Sequence, residues 1–198
     1  MPGCDARFEA KDAGSADSRI LRRDREDAAS GASSAARRLS ARAARPSYTL
    51  PVANADLSDA IQDYLKEIYK LGTEAERVST SALAARQQVS AASASAMVKK
   101  LAALGLAEHA PYRGVTLTHA GEQVALEVIR HHRLLELYLA ETLGIGVEDV
   151  HDEANRLEHA LSEELEARID RALGFPTHDP HGDPIPNANL EWPKDADG

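Results

Sequence analysis

The stretch that decides the fold covers residues 79–117 and reads STSALAARQQVSAASASAMVKKLAALGLAEHAPYRGVTL. Its apolar spacing predicts a short helix over residues 80–86, which begins after a hydroxyl residue that can cap it. A turn at residues 87–89 leads into a second helix over residues 90–104, which ends at Gly105. Two short helices joined by such a turn are typical of a helix-turn-helix, although helical hairpins with a purely structural role share the pattern.

The residues after the second helix predict a short β-hairpin. Leu106–His109 and Val115–Leu117 can pair as strands across a tip that contains Tyr112, Arg113 and Gly114. A hairpin placed directly after a helix-turn-helix forms its wing. This context favours a winged helix-turn-helix over a simple helical hairpin, and we predict such a domain for residues 54–117.

Apolar residues at spacings of three and four predict helices on both sides of this unit. One runs from Asp56 to Gly72, a long one begins after Thr118, and a last one spans about Val147–Leu173. The long helix carries too many apolar side chains for one face, so we expect a second partner and infer a dimer interface there. Those side chains are Leu134, Leu135, Leu137, Tyr138, Leu139 and Leu143.

The composition excludes several classes of protein. The single cysteine, Cys4, excludes a disulfide scaffold, and a mean hydropathy of −0.40 without a long apolar run argues against a membrane span. Charge is uneven, because residues 116–198 hold 18 acidic and 6 basic side chains whereas residues 54–115 hold 7 of each. This asymmetry indicates that one half binds an anion while the other binds cations or faces solvent.

The second helix of the helix-turn-helix presents hydroxyls and lysines separated by small side chains. Hydroxyls and lysines suit phosphate, whereas alanines can touch thymine methyl groups but cannot make bidentate base contacts, so we expect DNA to be read largely by shape. With the wing beside it, this surface is better explained by DNA binding than by a solvated helix face. The candidate DNA-binding residues are Thr80, Ser81, Ser90, Ala92, Ser93, Ser95, Ala96, Lys99, Lys100 and Arg113.

The acidic half carries a candidate metal site. His132 and Glu136 lie one turn apart on the long helix. Four further potential ligands share a face of the last helix: His151, Asn155, Glu158 and His159. Imidazole, carboxylate and amide groups without a thiolate suit Mn, Fe, Co or Zn rather than Ca²⁺ or a structural cysteine-bound zinc. The competing interpretation is a metal-dependent hydrolase, but the motif H-E-x-x-H and an activated nucleophile are lacking, so we predict no enzyme.

The sequence therefore predicts a mainly α protein in four parts. A disordered N-terminal extension (1–53) precedes the winged helix-turn-helix DNA-binding domain (54–117). A helical dimerisation and metal-binding domain (118–175) and an irregular proline-rich tail (176–198) follow. The extension has few large apolar residues and no signal-like core, so we expect a cytoplasmic protein. An unused upstream start codon would also explain the extension.

Five segments resemble the diphtheria toxin repressor family, over roughly residues 56–186. They are Asp63-Tyr-Leu, Tyr112-Arg-Gly-Val-Thr-Leu-Thr, His132-Arg-Leu-Leu-Glu136, His151-Asp-Glu-Ala-Asn-Arg-Leu-Glu-His159 and Pro180-His-Gly-Asp-Pro-Ile-Pro186. The resemblance implies a metal-activated, dimeric winged-helix repressor of metal uptake genes that binds palindromic operator DNA. By position it implies a principal metal site of Asp63, Asn155, Glu158 and His159, and an ancillary site of His132, Glu136 and His151.

The resemblance also bears on the choice of metal. The iron-responsive branch has methionine where Asp63 stands and usually cysteine where Asn155 stands, whereas the manganese-responsive branch has aspartate and often glutamate. Asp63 therefore favours Mn²⁺ as the cofactor, with Fe²⁺ as the alternative. Lys66 stands where the manganese branch has a further glutamate, and an ammonium group cannot ligate a metal. An iron-responsive repressor, a winged-helix regulator of an organic ligand and a hydrolase remain the alternatives.

Overall fold

The computed structural model describes residues 57–194, so the predictions for residues 1–53 lie outside the described residues. In chain order the elements are α1 (Asp59–Gly72), α2 (Thr80–Arg86), α3 (Ala91–Ala103), β1 (Ala107–Ala110), β2 (Gly114–Leu117), α4 (His119–Leu143), α5 (Val150–Leu157), a 3-10 turn (Glu158–Ala160) and α6 (Glu163–Ala172). The predicted mainly α fold with a winged helix-turn-helix is confirmed.

Hydroxyl side chains begin α2, α3 and α4, and also α6, whose cap is Ser162. Ser79, Ser90 and Thr118 each accept a hydrogen bond from the backbone amide three residues further along, at 3.1–3.2 Å. Each bond satisfies an amide that the first turn of a helix leaves without an intrahelical partner. Helices α2, α3 and α4 therefore begin where the sequence places their caps.

The wing is an antiparallel pair in which Ala107 faces Leu117 and Ala110 faces Gly114. Val78, between α1 and α2, adds an isolated bridge to Val115 on the outer side of β2. Gly114 has φ +97°, and a Cβ there would lie 2.5 Å from the Val78 carbonyl oxygen, so only glycine fits. The hairpin is thus attached to the helices at its base.

The winged helix encloses one core, to which α1, α2, α3, the wing and the first turns of α4 contribute. Leu65, Leu83, Val98 and Leu101 are fully buried in it. Because α4 starts inside this core and runs 25 residues onward, it joins the winged helix to the second half of the chain.

The second half of α4 packs against α5, α6 and the tail. Leu134, Leu135 and Leu137 share a core with Ala154, Ile169 and Ile185. The expectation that these leucines need a second chain is wrong, because the same chain buries them. Leu143 alone among the predicted residues is largely exposed, at 60%.

The predicted single helix over Val147–Leu173 is also wrong. The chain forms α5, the 3-10 turn and α6, with Leu161 in an extended conformation between the last two. Ser162 accepts a hydrogen bond from the Leu165 amide and so starts a new helix, which periodicity alone does not reveal. The break turns α6 so that Ile169 reaches the core of α4.

Buried ion pairs fasten α6 and the tail to α4. Arg130 donates from Nε to Glu166 and from Nη2 to Asp170, both at 2.7 Å, and from Nη1 to the Pro186 carbonyl oxygen at 2.7 Å. Each of the three guanidinium nitrogens donates to an acceptor, so Arg130 ties α4 to α6 and to the tail. Among the residues in view, no helix combines the length and apolarity that crossing a membrane requires.

Candidate metal centre and DNA-facing surface

Three donor atoms from α4 and α5 converge; we call His132, Glu136 and His151 the histidine cluster. Glu136 Oε1 lies 3.0 Å from His132 Nε2 and 3.0 Å from His151 Nδ1, and the two nitrogens are 3.1 Å apart. Ligands at right angles around an ion with bonds of about 2.1 Å lie about 3.0 Å from one another. The donor spacing and the donor chemistry therefore both fit one first-row divalent cation.

Electrostatics in this cluster favour a cation. Burial raises the pKa of Glu136, but hydrogen bonds to His132 and His151 outweigh it and lower that pKa to about 2. Burial lowers the pKa of His132, yet its hydrogen bonds to Glu136 and Glu158 raise it overall. A buried carboxylate thus holds a proton on the neighbouring imidazole, in a place where a metal ion can replace that proton.

A second group joins α1 to the 3-10 turn; we call Asp63, Asn155, Glu158 and His159 the α1 cluster. His159 Nε2 lies 3.0 Å from Asp63 Oδ1 and 3.5 Å from Glu158 Oε1. Hydrogen bonding to Asp63 is the main reason why the pKa of His159 is raised. His159 Nδ1 contacts Gln62 Oε1 at 2.9 Å, so both ring nitrogens are held by α1.

Lys66 enters the α1 cluster from the same helix as Asp63. Its Nζ donates to Glu158 Oε1 at 2.5 Å and to Asn155 Oδ1 at 3.3 Å. The other oxygen of Glu158, Oε2, lies 2.7 Å from His132 Nδ1. Burial raises the pKa of Glu158, but His132 and Lys66 lower it overall, so this carboxylate is ionised and links the two clusters.

The structure brings all seven predicted metal ligands into these two adjacent clusters; that they bind metal stays a prediction. Sequence reasoning missed Asp179 and His181, which approach the histidine cluster from the tail. His181 Nδ1 lies 3.8 Å from Glu136 Oε2 and 3.9 Å from Asp179 Oδ1. The only signal was the segment Pro180–Pro186, which contains His181 and follows Asp179 directly, since no periodicity places a tail residue beside a helix.

The predicted DNA-binding residues lie on one accessible surface of α2, α3 and the wing. The exposed members are Ser81, Ser90, Ala92, Ser93, Ala96, Lys99, Lys100 and Arg113, while Thr80 and Ser95 are half-buried. Ala94, Val98 and Leu101 anchor the opposite face of α3 in the core. Sequence reasoning left out Tyr112, which is fully exposed at the wing tip with φ +63°. Contact between these residues and DNA stays a prediction.

The fold defines a winged helix-turn-helix protein with a helical domain that carries clusters of potential metal ligands. Residues 56–115 match the family model "Iron dependent repressor, N-terminal DNA binding domain". Residues 118–187 match "Iron dependent repressor, metal binding and dimerisation domain". The chain belongs to the iron-dependent repressor family, and the resemblance inferred from the sequence is confirmed.

Curated relatives support the same family assignment. The diphtheria toxin repressor of Corynebacterium efficiens is 37% identical over 131 residues, and the iron-dependent repressor of Mycobacterium leprae is 38% identical over 131 residues. Each alignment covers 66% of this chain and 57% of the relative, so the chain spans little more than half of their length. An uncharacterised HTH-type transcriptional regulator of Methanocaldococcus jannaschii is 36% identical over 114 residues, which are 57% of this chain and 91% of that protein.

Solved structures share the fold. A manganese-dependent transcriptional repressor in complex with manganese has a TM-score of 0.63 and 50% identity, covering 68% of this chain and 62% of that one. The manganese regulator SloR has a TM-score of 0.61 and 36% identity, covering 67% of this chain and 62% of that one.

Proposed function

We propose that the protein is a metal-activated transcriptional repressor that binds operator DNA as a homodimer and controls genes of metal ion homeostasis. The position of α1 carries this proposal. Ile61, Leu65 and Ile68 on one face of α1 are buried in the core that supports α3. Asp63 and Lys66 on another face reach the 3-10 turn and α5. A change of charge among the clustered ligands therefore acts on the helix beneath the DNA-facing surface.

The histidine cluster is the place that we propose for the regulatory ion. When bound, a divalent cation supplies the positive charge that the proton on His132 supplies without it. Glu136 and His132 are buried, so they hold fixed orientations, while the half-exposed His151 leaves a path from solvent. The α1 cluster is the second set of candidate ligands that the sequence predicts.

Mn²⁺ is the ion that we propose, with Fe²⁺ as the alternative. The histidine cluster offers two imidazole nitrogens and a carboxylate oxygen, with no thiolate or thioether, and such a set suits Mn²⁺ or Fe²⁺. The solved relative at 50% identity is a manganese-dependent repressor, which supports the choice of Mn²⁺. The curated relatives named iron-dependent repressors keep iron as the alternative.

A homodimer is the form that we propose for DNA binding. The helical half matches a model described as a metal binding and dimerisation domain. It also exposes several large apolar side chains: Leu143, Val147, Leu157, Leu165 and Phe175. A twofold axis presents two copies of α3 to a palindromic operator, with half-sites about 34 Å apart. Such a regulator acts in the cytoplasm and performs no catalytic step.

Operator DNA selected from random duplexes in the presence of Mn²⁺ provides the test. Fluorescence anisotropy should show binding that tightens by at least about tenfold when Mn²⁺ is added to chelator-treated protein, which is a gain of about 1.4 kcal/mol. The double variant Glu136→Gln/His151→Ala should lose this response and keep its fold by circular dichroism. Equal affinity with Mn²⁺, with Fe²⁺ and with chelator would exclude metal activation and leave an organic effector as the explanation.

A further inference from the structure

We propose that the ammonium group of Lys66 is the resident cation of the α1 cluster, so that this cluster takes no metal ion and the metal response belongs to the histidine cluster alone. The inference rests on the proposed function. It departs from the metal set of Asp63, Asn155, Glu158 and His159 that the sequence resemblance implies.

The geometry places this ammonium group where an ion would bind. Lys66 follows Asp63 by three residues and so lies on the same side of α1. Its Nζ is 2.5 Å from Glu158 Oε1, the oxygen that also lies 3.5 Å from His159 Nε2. The Lys66 and Glu158 side chains are only 7% and 1% exposed, so water does not screen the pair.

The charge of Glu158 is already balanced by Lys66. Asp63 Oδ1 is engaged by His159 Nε2, and the uncharged amide oxygen of Asn155 already accepts a hydrogen bond from Lys66. A divalent ion on Glu158 Oε1 would lie beside a buried ammonium group, and the two positive charges would repel each other.

The histidine cluster does not share this obstacle. Its three donor atoms lie 3.0–3.1 Å apart. Lys66 binds Glu158 Oε1, whereas His132 of the histidine cluster contacts the other oxygen, Oε2. Lys66 instead provides a permanent bond between α1 and the 3-10 turn, which is the connection that a metal ion would otherwise make. The chain then needs one ion per protomer to respond. A titration should therefore show one Mn²⁺ bound per chain.

Manganese binding in a background without the histidine cluster tests the inference. The double variant Glu136→Gln/His151→Ala also disables the group formed with Asp179 and His181, because both groups use Glu136. Free Mn²⁺, followed by its electron paramagnetic resonance signal, reports bound metal independently of DNA binding. We expect the double variant to bind no Mn²⁺, and the added substitution Lys66→Glu to restore one ion per chain.

Lys70→Glu in the same background is the matched control. Lys70 lies one turn further along α1 and lines the same open cleft of about 580 Å³. The substitution Lys70→Glu therefore makes the same change of charge as Lys66→Glu, but not at the residue that binds Glu158. It should restore no binding. Lys66→Gln provides a second variant that removes the charge without adding a ligand, and it should restore weaker binding even if Lys66→Glu does not fold.

Three outcomes are decisive. One Mn²⁺ retained by the double variant with Lys66 intact would overturn the inference and leave the proposed function standing. Failure of every folded Lys66 variant to bind Mn²⁺ would show that Lys66 is not what excludes the ion, and would also overturn it. Wild-type chain that binds no Mn²⁺ at all would instead defeat the proposed function.

Discussion

At the scale of single residues, Glu158 connects the parts of the site. One of its oxygens holds Lys66 and the other holds His132, although the side chain is almost wholly buried. A carboxylate that orients a ligating imidazole keeps it in the tautomer and position that metal binding requires. Glu158 is thus a positioning residue for the histidine cluster.

We expect Glu158→Gln to weaken Mn²⁺ binding by about 10- to 100-fold, because the neutral amide orients His132 less strongly. Isothermal titration calorimetry on the purified chain measures this change. Glu153→Gln is the control, since Glu153 is paired with Arg156 on the exposed side of α5 and should leave the affinity unchanged. An unaltered dissociation constant for Glu158→Gln would remove this residue from the site.

The dependence of Mn²⁺ binding on pH also belongs to this scale. Burial lowers the pKa of His132, but hydrogen bonds to Glu136 and Glu158 bring it above the ordinary 6.5. Because a protonated imidazole cannot ligate, Mn²⁺ affinity should be full above that raised pKa and decline as pH falls through it. The decline should begin above pH 6.5 and approach about tenfold per pH unit at lower pH.

The stability of the metal-free fold depends on pH in the opposite direction to Mn²⁺ affinity. Protonated His132 stabilises it fully below pH 6.5, and this contribution is lost as pH rises through the raised pKa. Calorimetric titrations between about pH 8.5 and 5.5 and thermal unfolding without metal measure the two trends. A dissociation constant for Mn²⁺ that stays constant over this range would exclude His132 as a ligand.

At the scale of elements, α4 fixes how the two domains are oriented, because its first turns pack in the core of the winged helix and its second half packs in the core of the helical domain. Its first turn crosses directly over the start of the wing, where a Cβ on Gly121 would lie 1.9 Å from the Leu106 carbonyl oxygen. The backbone of Gly121 and the Leu106 carbonyl group are both fixed by packing, so neither can shift without a cost in free energy. The close crossing sets the angle at which α4 leaves the winged helix.

Gly121→Ala should therefore lower the free energy of unfolding by about 1–3 kcal/mol or more, through overpacking. Urea denaturation followed by circular dichroism measures it. Gly72→Ala in the last turn of α1 is the control, because a Cβ there meets nothing within 4 Å, so alanine should leave stability unchanged or raise it by about 0.4–1 kcal/mol. Equal stability for both variants would mean that the α4 crossing is adjustable.

At the scale of the whole molecule, the exposed cations lie on the winged helix, and most of the acidic side chains lie in the second half of the chain. Lys99, Lys100 and Arg113 are exposed on the winged helix, whereas residues 116–198 hold 18 acidic side chains. Separation of this kind directs the basic surface toward phosphate and keeps the acidic half away from it. DNA binding should consequently depend strongly on salt.

Single substitution of Lys99, Lys100 or Arg113 by alanine should weaken binding to all DNA sequences similarly and reduce the salt slope by about 1 for each lost phosphate contact. Anisotropy titrations at several salt concentrations with saturating Mn²⁺ measure the slope. Arg171→Ala on α6 removes an exposed cation from the other domain and should leave it unchanged. Unchanged slopes for all three variants would place the DNA interface elsewhere.

The sequence by itself determined the local elements of this protein. The capping hydroxyls of Ser79, Ser90 and Thr118 and the apolar periodicity of α1 act within one or two turns, so their effect can be read from neighbouring residues. The pair His132 and Glu136 could equally be predicted from the sequence, because a spacing of four places both residues on one face of any helix. The family resemblance added Asp63, which no local pattern singles out.

Tertiary structure alone decided how these parts meet. Packing of α4 against α5, α6 and the tail buried leucines that the sequence assigned to a second chain. It also brought Lys66 to Glu158, 92 positions away, and His181 to Glu136. Periodicity describes which face a side chain occupies but not which element covers that face, since the covering element depends on long-range packing. Whether a carboxylate meets a metal ion or a lysine is settled only at that level.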